Sequence, residues 1–363
     1  MRVGLVIYGS LDTVSGGYLY DRKLVQHLRR QGDAVEIISL PWRSYGRHLA
    51  DNFSRELRTR LLGLGVDVLL QDELNHPSLA WLNASLRGRI PFPLVSIVHH
   101  LRASEEHPAV AHALYRQVER RYLNSVDGFI CNSRTTQATV AAHSPHLRPV
   151  VVAYPAADHV QPPAGADAGR EIAQRLETKG PLHVLFVGNV IARKGLHSLL
   201  NSLARLPREA WRLTVAGSLS VDPGYVASIR RQIDGLHLGQ QVTLCGAVAD
   251  SELRALYHRS HVLAMPSYEG FGIAYLEAMG FGLPVIASTA GAAREVITHG
   301  VDGYLAAPGD VTAIAGHLQS WLDDRTLLIA MSLNARLRYD RHPTWQDSGA
   351  RIRDWLLEFT GGR

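Results

Sequence analysis

Cysteine is almost missing from this chain: of 363 residues only Cys131 and Cys245 are cysteines. They stand far apart, in strand-like runs, which excludes a disulfide frame and a zinc knuckle and implies reduced, buried thiols in a cytosol-like compartment. Lysine is scarce as well, three among 38 basic residues, a bias that speaks to the genome rather than to the protein. No apolar run is long enough to cross a bilayer. The chain passes from Met-Arg straight into a strand, Val3 to Tyr8, so the expectation is a cytoplasmic protein with no signal peptide. No G-x-G-x-x-G follows that strand, which argues against a dehydrogenase. His99-His100 lacks metal-ligand spacing after it, and Asp323-Asp324 falls at a helix end rather than forming Asp-x-Asp at a strand end. No divalent metal and no cofactor is therefore expected.

What is present suits two domains: a hydrophobic fraction of 46% and a length beyond one ordinary core. The net charge of +5 is unevenly spread, with 18 basic against 14 acidic residues in 1–160 and 20 against 19 in 161–363. An anionic acceptor or an anionic membrane surface would suit the first half. The excess is too weak and dispersed for a nucleic-acid footprint. Between Pro41 and Leu62, Trp42 and Tyr45 precede a helical run with Leu49, Phe53, Leu57 and Leu61, interleaved with Arg47, Arg55, Arg58 and Arg60. Such a basic amphipathic helix either lies on the inner face of a membrane or is an ordinary surface helix.

Strand-like runs alternate with helical ones. In the first half they are Val3–Tyr8, Ala34–Leu40, Val66–Leu70, Pro93–Val98, Asp127–Cys131 and Pro149–Ala153. A linker follows, Tyr154 to Gly165. The alternation restarts with Leu182–Val187, Trp211–Ala216, Gln241–Cys245, His261–Met265, Pro284–Ser288 and Val301–Leu305. This predicts an α/β protein of two Rossmann-like domains, 1–160 and 161–340, with a last helix in 341–363. Ligands of such sheets bind at the carboxyl ends of the strands. The candidates there are Gly16-Gly17, in the loop Gly9 to Gly17; Asp72, Glu73 and His76, for acceptor hydroxyls; and His99-His100, for a sugar hydroxyl or departing charge.

The most informative stretch runs from Ser267 to Gly280. Strand, glycine turn, helix and strand make a βαβ unit, and Gly270-Phe271-Gly272-Ile273 opens its helix. Backbone amides and the positive end of the dipole at such a helix start are a seat for a pyrophosphate. Glu269 stands just before the helix and Glu277 eight residues on. Carboxylates repel phosphate but accept hydrogen bonds from sugar hydroxyls, so the pair suits a nucleotide-sugar, with Glu269 towards the sugar and Glu277 towards the ribose. Arg193 and Lys194 sit at another helix start, after Gly188, where cations oppose the dipole unless they face a polyanion. Ser288 to Glu295 forms a further small-residue helix start that would add phosphate contacts, and Asp250-Ser251-Glu252 would cap a helix.

The Glu269–Glu277 stretch resembles the E-x7-E signature of the retaining GT-B glycosyltransferases, family 4 (glycosyl transferases group 1). That resemblance implies two Rossmann-like domains facing across a cleft, the GT-B fold, with a C-terminal helix crossing back to the N-terminal domain. It implies acceptor binding by the first domain and nucleotide-sugar binding by the second, without metal and with retention of configuration. It gives Arg193-Lys194 the donor pyrophosphate, Gly16-Gly17 a place near donor phosphates and acceptor, and His99, or failing that His100, the transferred sugar. Gly217-Ser218 and Gly246 mark strand ends that hold the nucleoside. Many members carry arginine where Asn189 stands, which leaves the contacts of Asn189 open. A phosphorylase, or an epimerase or hydrolase of the same fold, would share the glutamate pair; a non-catalytic sugar or nucleotide binder would be expected to have lost Arg193-Lys194 or Glu269, and these positions are intact.

Overall fold

The computed structural model describes every residue except 106–107, 145–147, 164–167, 178–179 and 362–363. Ala164 and Gly165, the end of the expected linker, lie outside the described residues. The chain divides into two compact units, Met1–Pro155 with Pro343–Arg363, and Ala156–His342.

The first unit holds a six-stranded sheet: β1 (Arg2–Tyr8), β2 (Ala34–Leu40), β3 (Val68–Asp72), β4 (Leu94–Val98), β5 (Gly128–Cys131) and β6 (Val150–Val152), in the order β2-β1-β3-β4-β5-β6. All its pairings are parallel. Parallel strands need crossovers and are covered on both faces, so β3 and β4 are buried throughout, as their unbroken apolar runs require. The helix Trp345–Gly361 belongs to this unit. Its Gly349 leaves room for the His27 ring, since a Cβ there would lie 2.4 Å from His27 Cγ. Arg353 pairs with Asp33 at 2.7 Å, and Asp33 also holds the N-terminal ammonium at 2.9 Å. Trp355 and Phe359 stack on each other and close over Gly128.

The second unit holds β7 (Leu182–Val187), β8 (Trp211–Ala216), β9 (Val242–Gly246), β10 (Val262–Met265), β11 (Val285–Ser288) and β12 (Gly303–Ala306), all parallel, in the order β12-β11-β10-β7-β8-β9. Both units are thus doubly wound α/β layers.

Four local expectations are corrected. Gly16 and Gly17 are not loop residues but the first turn of the helix Gly16–Arg30, because Ser15 caps it by accepting from Tyr18 N at 3.3 Å. The basic amphipathic helix is two short ones, Tyr45–Asp51 and Arg55–Leu62. Asn52 breaks it: its amide donates to Leu49 O and Pro77 O and accepts from Trp81 N and Leu82 N, which leaves Phe53 82% exposed. Asp250 lies inside the helix Asp250–Arg259, which no side chain caps. Cys131 is buried, but Cys245 only partly.

Candidate active site

In the second unit the strand order reverses between β7 and β10. Open α/β sheets bind ligands outside the carboxyl ends of the strands at such a reversal. The loop after β7 carries Gly188 to Lys194, and the loop after β10 carries Pro266 to Gly272. These two loops meet. Lys194 Nζ donates a hydrogen bond to Glu269 Oε1, and Ser267 Oγ donates to the same oxygen at 2.7 Å. Arg193 Nη1 lies 3.8 Å from Glu269 Oε2 and donates to Tyr268 O at 2.6 Å. Burial works against charge on Glu269, but the Lys194 and Arg193 charges and these hydrogen bonds hold its pKa below the usual carboxylate range. The cluster therefore carries two cations against one carboxylate.

Close backbone approach builds the surroundings. A Cβ on Gly217 would fall 1.9 Å from Gly188 O, and one on Gly195 2.7 Å from Pro266 O. Only glycine lets the ends of β7, β8 and β10 crowd in this way. Gly272 has φ +94° and starts the helix Ile273–Gly280, which no side chain caps. The Phe271 side chain is buried against His342 and Ile273 is partly exposed, so the Gly270–Ile273 turn offers a ligand its backbone more than the phenyl ring. Asn189 is half-buried, and Ser218 Oγ pairs with Ser220 Oγ at 3.0 Å. Glu277 is buried: Tyr257 OH donates to its Oε2 at 2.6 Å, and His159 Nε2 lies 3.1 Å from Oε1. Of the amides after Ser288, Thr289 N donates to Ala306 O, Ala290 N to Ser288 Oγ and Ala292 N to Glu269 O.

In the first unit the reversal lies between β1 and β3. Beside it His99, at the end of β4, points Nε2 at Asp21 Oδ1, 3.2 Å away. A Cβ on Gly17 would touch the His99 ring at 3.0 Å, so Gly17 makes room for it. Asp21, Asp72 and His99 bring ligand atoms within 4.8 Å of one another. Burial opposes charge on His99, but the Asp21 hydrogen bond and the Asp21, Asp72 and Glu73 charges overcome it and raise the pKa to about 8. Asp72 is pushed up to about 8 by burial and then by Asp21.

Glu73, His76 and Glu119 form a second buried group. His76 Nδ1 lies 3.0 Å from Glu73 Oε1, and its Nε2 pairs with Tyr45 OH at 3.1 Å. Burial lowers His76 to about 4 and, with the two acids repelling, raises Glu119 to about 8; burial also raises Glu73 to about 7. His100 stands apart, 2.9 Å from Glu105. The candidates Asp72, His76 and His100 therefore fall into three separate places. Asp72, Glu73 and His76 are buried and not loop-solvated, since β3 runs on to Asp72 and its Gln71 pairs with Asn83 at 3.0 Å inside the unit.

Asp21 and Glu119 are the charged groups that sequence reasoning passed over. A signal for Asp21 exists: it precedes Leu24, Val25 and Leu28 by three, four and seven residues, a carboxylate on the apolar stripe of its helix.

Residues 168–338 match the family described as Glycosyl transferases group 1, and residues 19–161 match Glycosyltransferase Family 4. Glycogen synthase of Mycobacterium tuberculosis is 29% identical over 299 residues, 79% of this chain and 69% of that protein. Sucrose-phosphate synthase from Thermosynechococcus elongatus superposes with TM-score 0.84 at 20% identity, covering 100% of both chains. HepE of Anabaena, solved in complex with UDP-glucose, gives TM-score 0.76 at 20% identity and 100% of both chains. Signature, paired parallel sheets and matched stretches agree, and the chain belongs to glycosyltransferase family 4 (glycosyl transferases group 1): it is a glycosyltransferase of the GT-B fold.

Proposed function

We propose that the enzyme moves a hexose-type sugar from a UDP- or GDP-linked donor to an acceptor hydroxyl, with retention of configuration and without a divalent metal. The observation that carries this reading is the Arg193–Lys194–Glu269 cluster beside the uncapped turn Gly270–Ile273. A leaving diphosphate gains charge as the glycosidic bond breaks, and preorganised cations and amides there lower the barrier. Lys194 and Arg193 supply that charge, the role a metal would otherwise fill. As the donor binds, Lys194 turns from Glu269 to the phosphates, which frees Glu269 to accept hydrogen bonds from the sugar. Glu277 takes the ribose, and Gly188, Asn189 and Ser218 border the nucleoside. In the first unit His99 donates to a sugar hydroxyl, Gly16 and Gly17 flank it, and Asp72 and His100 serve the acceptor. His76 is turned inward and acts through Tyr45. The UDP-glucose bound by HepE supports a uridine donor.

The acceptor side is basic, which suits an anionic or lipid-linked acceptor. Trp42 and Phe53, 54% and 82% exposed beside Arg43 and Arg47, suit peripheral contact with an anionic bilayer. Among the described residues no helix is long and apolar enough to cross a membrane. The test is a thermal-shift screen of UDP- and GDP-sugars, followed by transfer assays in EDTA with the product anomer read by proton NMR. A retained anomer formed at full rate in EDTA is expected. Stabilisation by no nucleotide-sugar, an inverted product or loss of turnover in EDTA would each overturn the corresponding part. Sugar release independent of acceptor would point to a hydrolase.

A further inference from the structure

The site above leaves unused a groove of ≈ 370 Å³ in the first unit, lined by Arg87, Arg120 and Arg121 together with Gln117 and Asn124. Arg87 Nη2 and Arg148 Nη2 both donate to Asn124 O, at 3.2 and 3.1 Å. The Arg121 guanidinium is held over the Trp81 ring, 5.1 Å from its centroid. No Asp or Glu lines the groove, and among the described residues none of these arginines forms an ion pair. Burial and then the nearby Arg87 charge lower the pKa of Arg148, against the opposing pull of Asp127, so these two guanidinium groups feel one another. Converging, unpaired arginines are unfavourable together until an anion is shared between them, and their planar forks match phosphate oxygens.

The groove's place separates it from the candidate active site. Arg87 lies on the connection into β4, Asn124 on that into β5 and Arg148 on that into β6, all at the amino ends of the strands. His99 follows the carboxyl end of β4. We propose that this groove is a second ligand site, one that binds a phosphomonoester group at the amino ends of the strands, opposite the end that carries His99. The group belongs either to a small soluble ester or to a lipid headgroup.

Calorimetric titration of the whole protein with inorganic phosphate at fixed ionic strength tests it, beside co-sedimentation with phosphatidylcholine vesicles with and without phosphatidic acid. Arg87, Arg120 and Arg121 are exposed, so the R87Q/R121Q variant retains its fold, with circular dichroism as the check. Binding should weaken at least about tenfold in R87Q/R121Q, as loss of charge-assisted hydrogen bonds requires, and persist in Lys194→Ala. Binding of phosphate alone assigns the site to a soluble ester, and binding of phosphatidic acid vesicles alone assigns it to a lipid. Equal affinity in wild type and R87Q/R121Q, loss in Lys194→Ala instead, or binding of neither probe would overturn the proposal. Failure of the donor reading would show in the Lys194→Ala turnover and leave this result untouched.

Discussion

His99 Nε2 and Asp21 Oδ1 lie 3.2 Å apart, which ties the end of β4 to the buried face of the helix Gly16–Arg30. The carboxylate makes the imidazole a cation near neutrality. Without it, burial prevails and the pKa of about 8 falls. Asp21→Asn should therefore move the His99 midpoint down by about one pH unit or more. The alkaline limb of kcat/KM should move with it if the imidazolium is the active form. NMR titration of the ring protons checks the first part, and an unmoved midpoint would sink it.

Stability should depend on pH through the same groups. His99 near 8, Asp72 near 8, Glu73 near 7 and Glu119 near 8 all bind protons more tightly folded than unfolded. Their contribution is present at low pH and lost as pH rises, for His99 between about 6.5 and 8 and for the carboxyls from about 4 upward. His76 works the other way, being lowered to about 4, and removes stability as pH falls below about 6.5. Scanning calorimetry should show the thermal midpoint of the first unit falling as pH rises towards about 8 and levelling above it. Glu119→Gln should flatten that slope, and an unchanged slope would argue that Glu119 does not carry it.

Lys194→Ala and Glu269→Ala should each lower kcat by roughly a hundredfold or more, the scale of losing a group that stabilises developing charge. Circular dichroism should remain native. Lys194→Ala also leaves Glu269 buried with only Arg193 near, so it should be the less stable of the two. Adding Glu269→Gln to Lys194→Ala should restore stability but not turnover. A double-mutant cycle with zero coupling would contradict the pairing.

Gly272→Ala tests the start of the helix. Its φ of +94° disfavours any side chain, and a Cβ would fall 2.3 Å from the buried ring of Tyr275. The expected loss is about 2–3 kcal/mol, or roughly 4–12 °C in the melting of a unit this size. Nucleotide affinity should fall with it, since Tyr275 OH meets Ser267 Oγ at 3.2 Å and Ser267 holds Glu269. A variant as stable as wild type would show that the turn has another conformation.

Much of the architecture could be read along the chain. Twelve strand-like runs appear as twelve strands; inner strands such as β3 and β4 are mostly apolar because both their faces are buried, while the edge strands β2 and β9 stay partly exposed. The reading failed where a distant partner overrides local pattern. Phe53 lies on a helical period with Leu49 and Leu57, yet the Asn52 amide, held by Pro77 O and Trp81 N, ends the helix and turns the phenyl ring outward. Gly16 and Gly17 looked like loop residues until the Ser15 cap placed them in a helix.

The order of residues along the chain determined which segments become strands, where glycine opens a turn and which charges stand beside a helix start, because periodicity and backbone freedom are local properties. Only the tertiary structure decided that Lys194 grips Glu269 across 75 residues and that Asp21 meets His99 across 78. It also set the charge those groups carry, since desolvation and the field of neighbours arise only once distant segments are packed together.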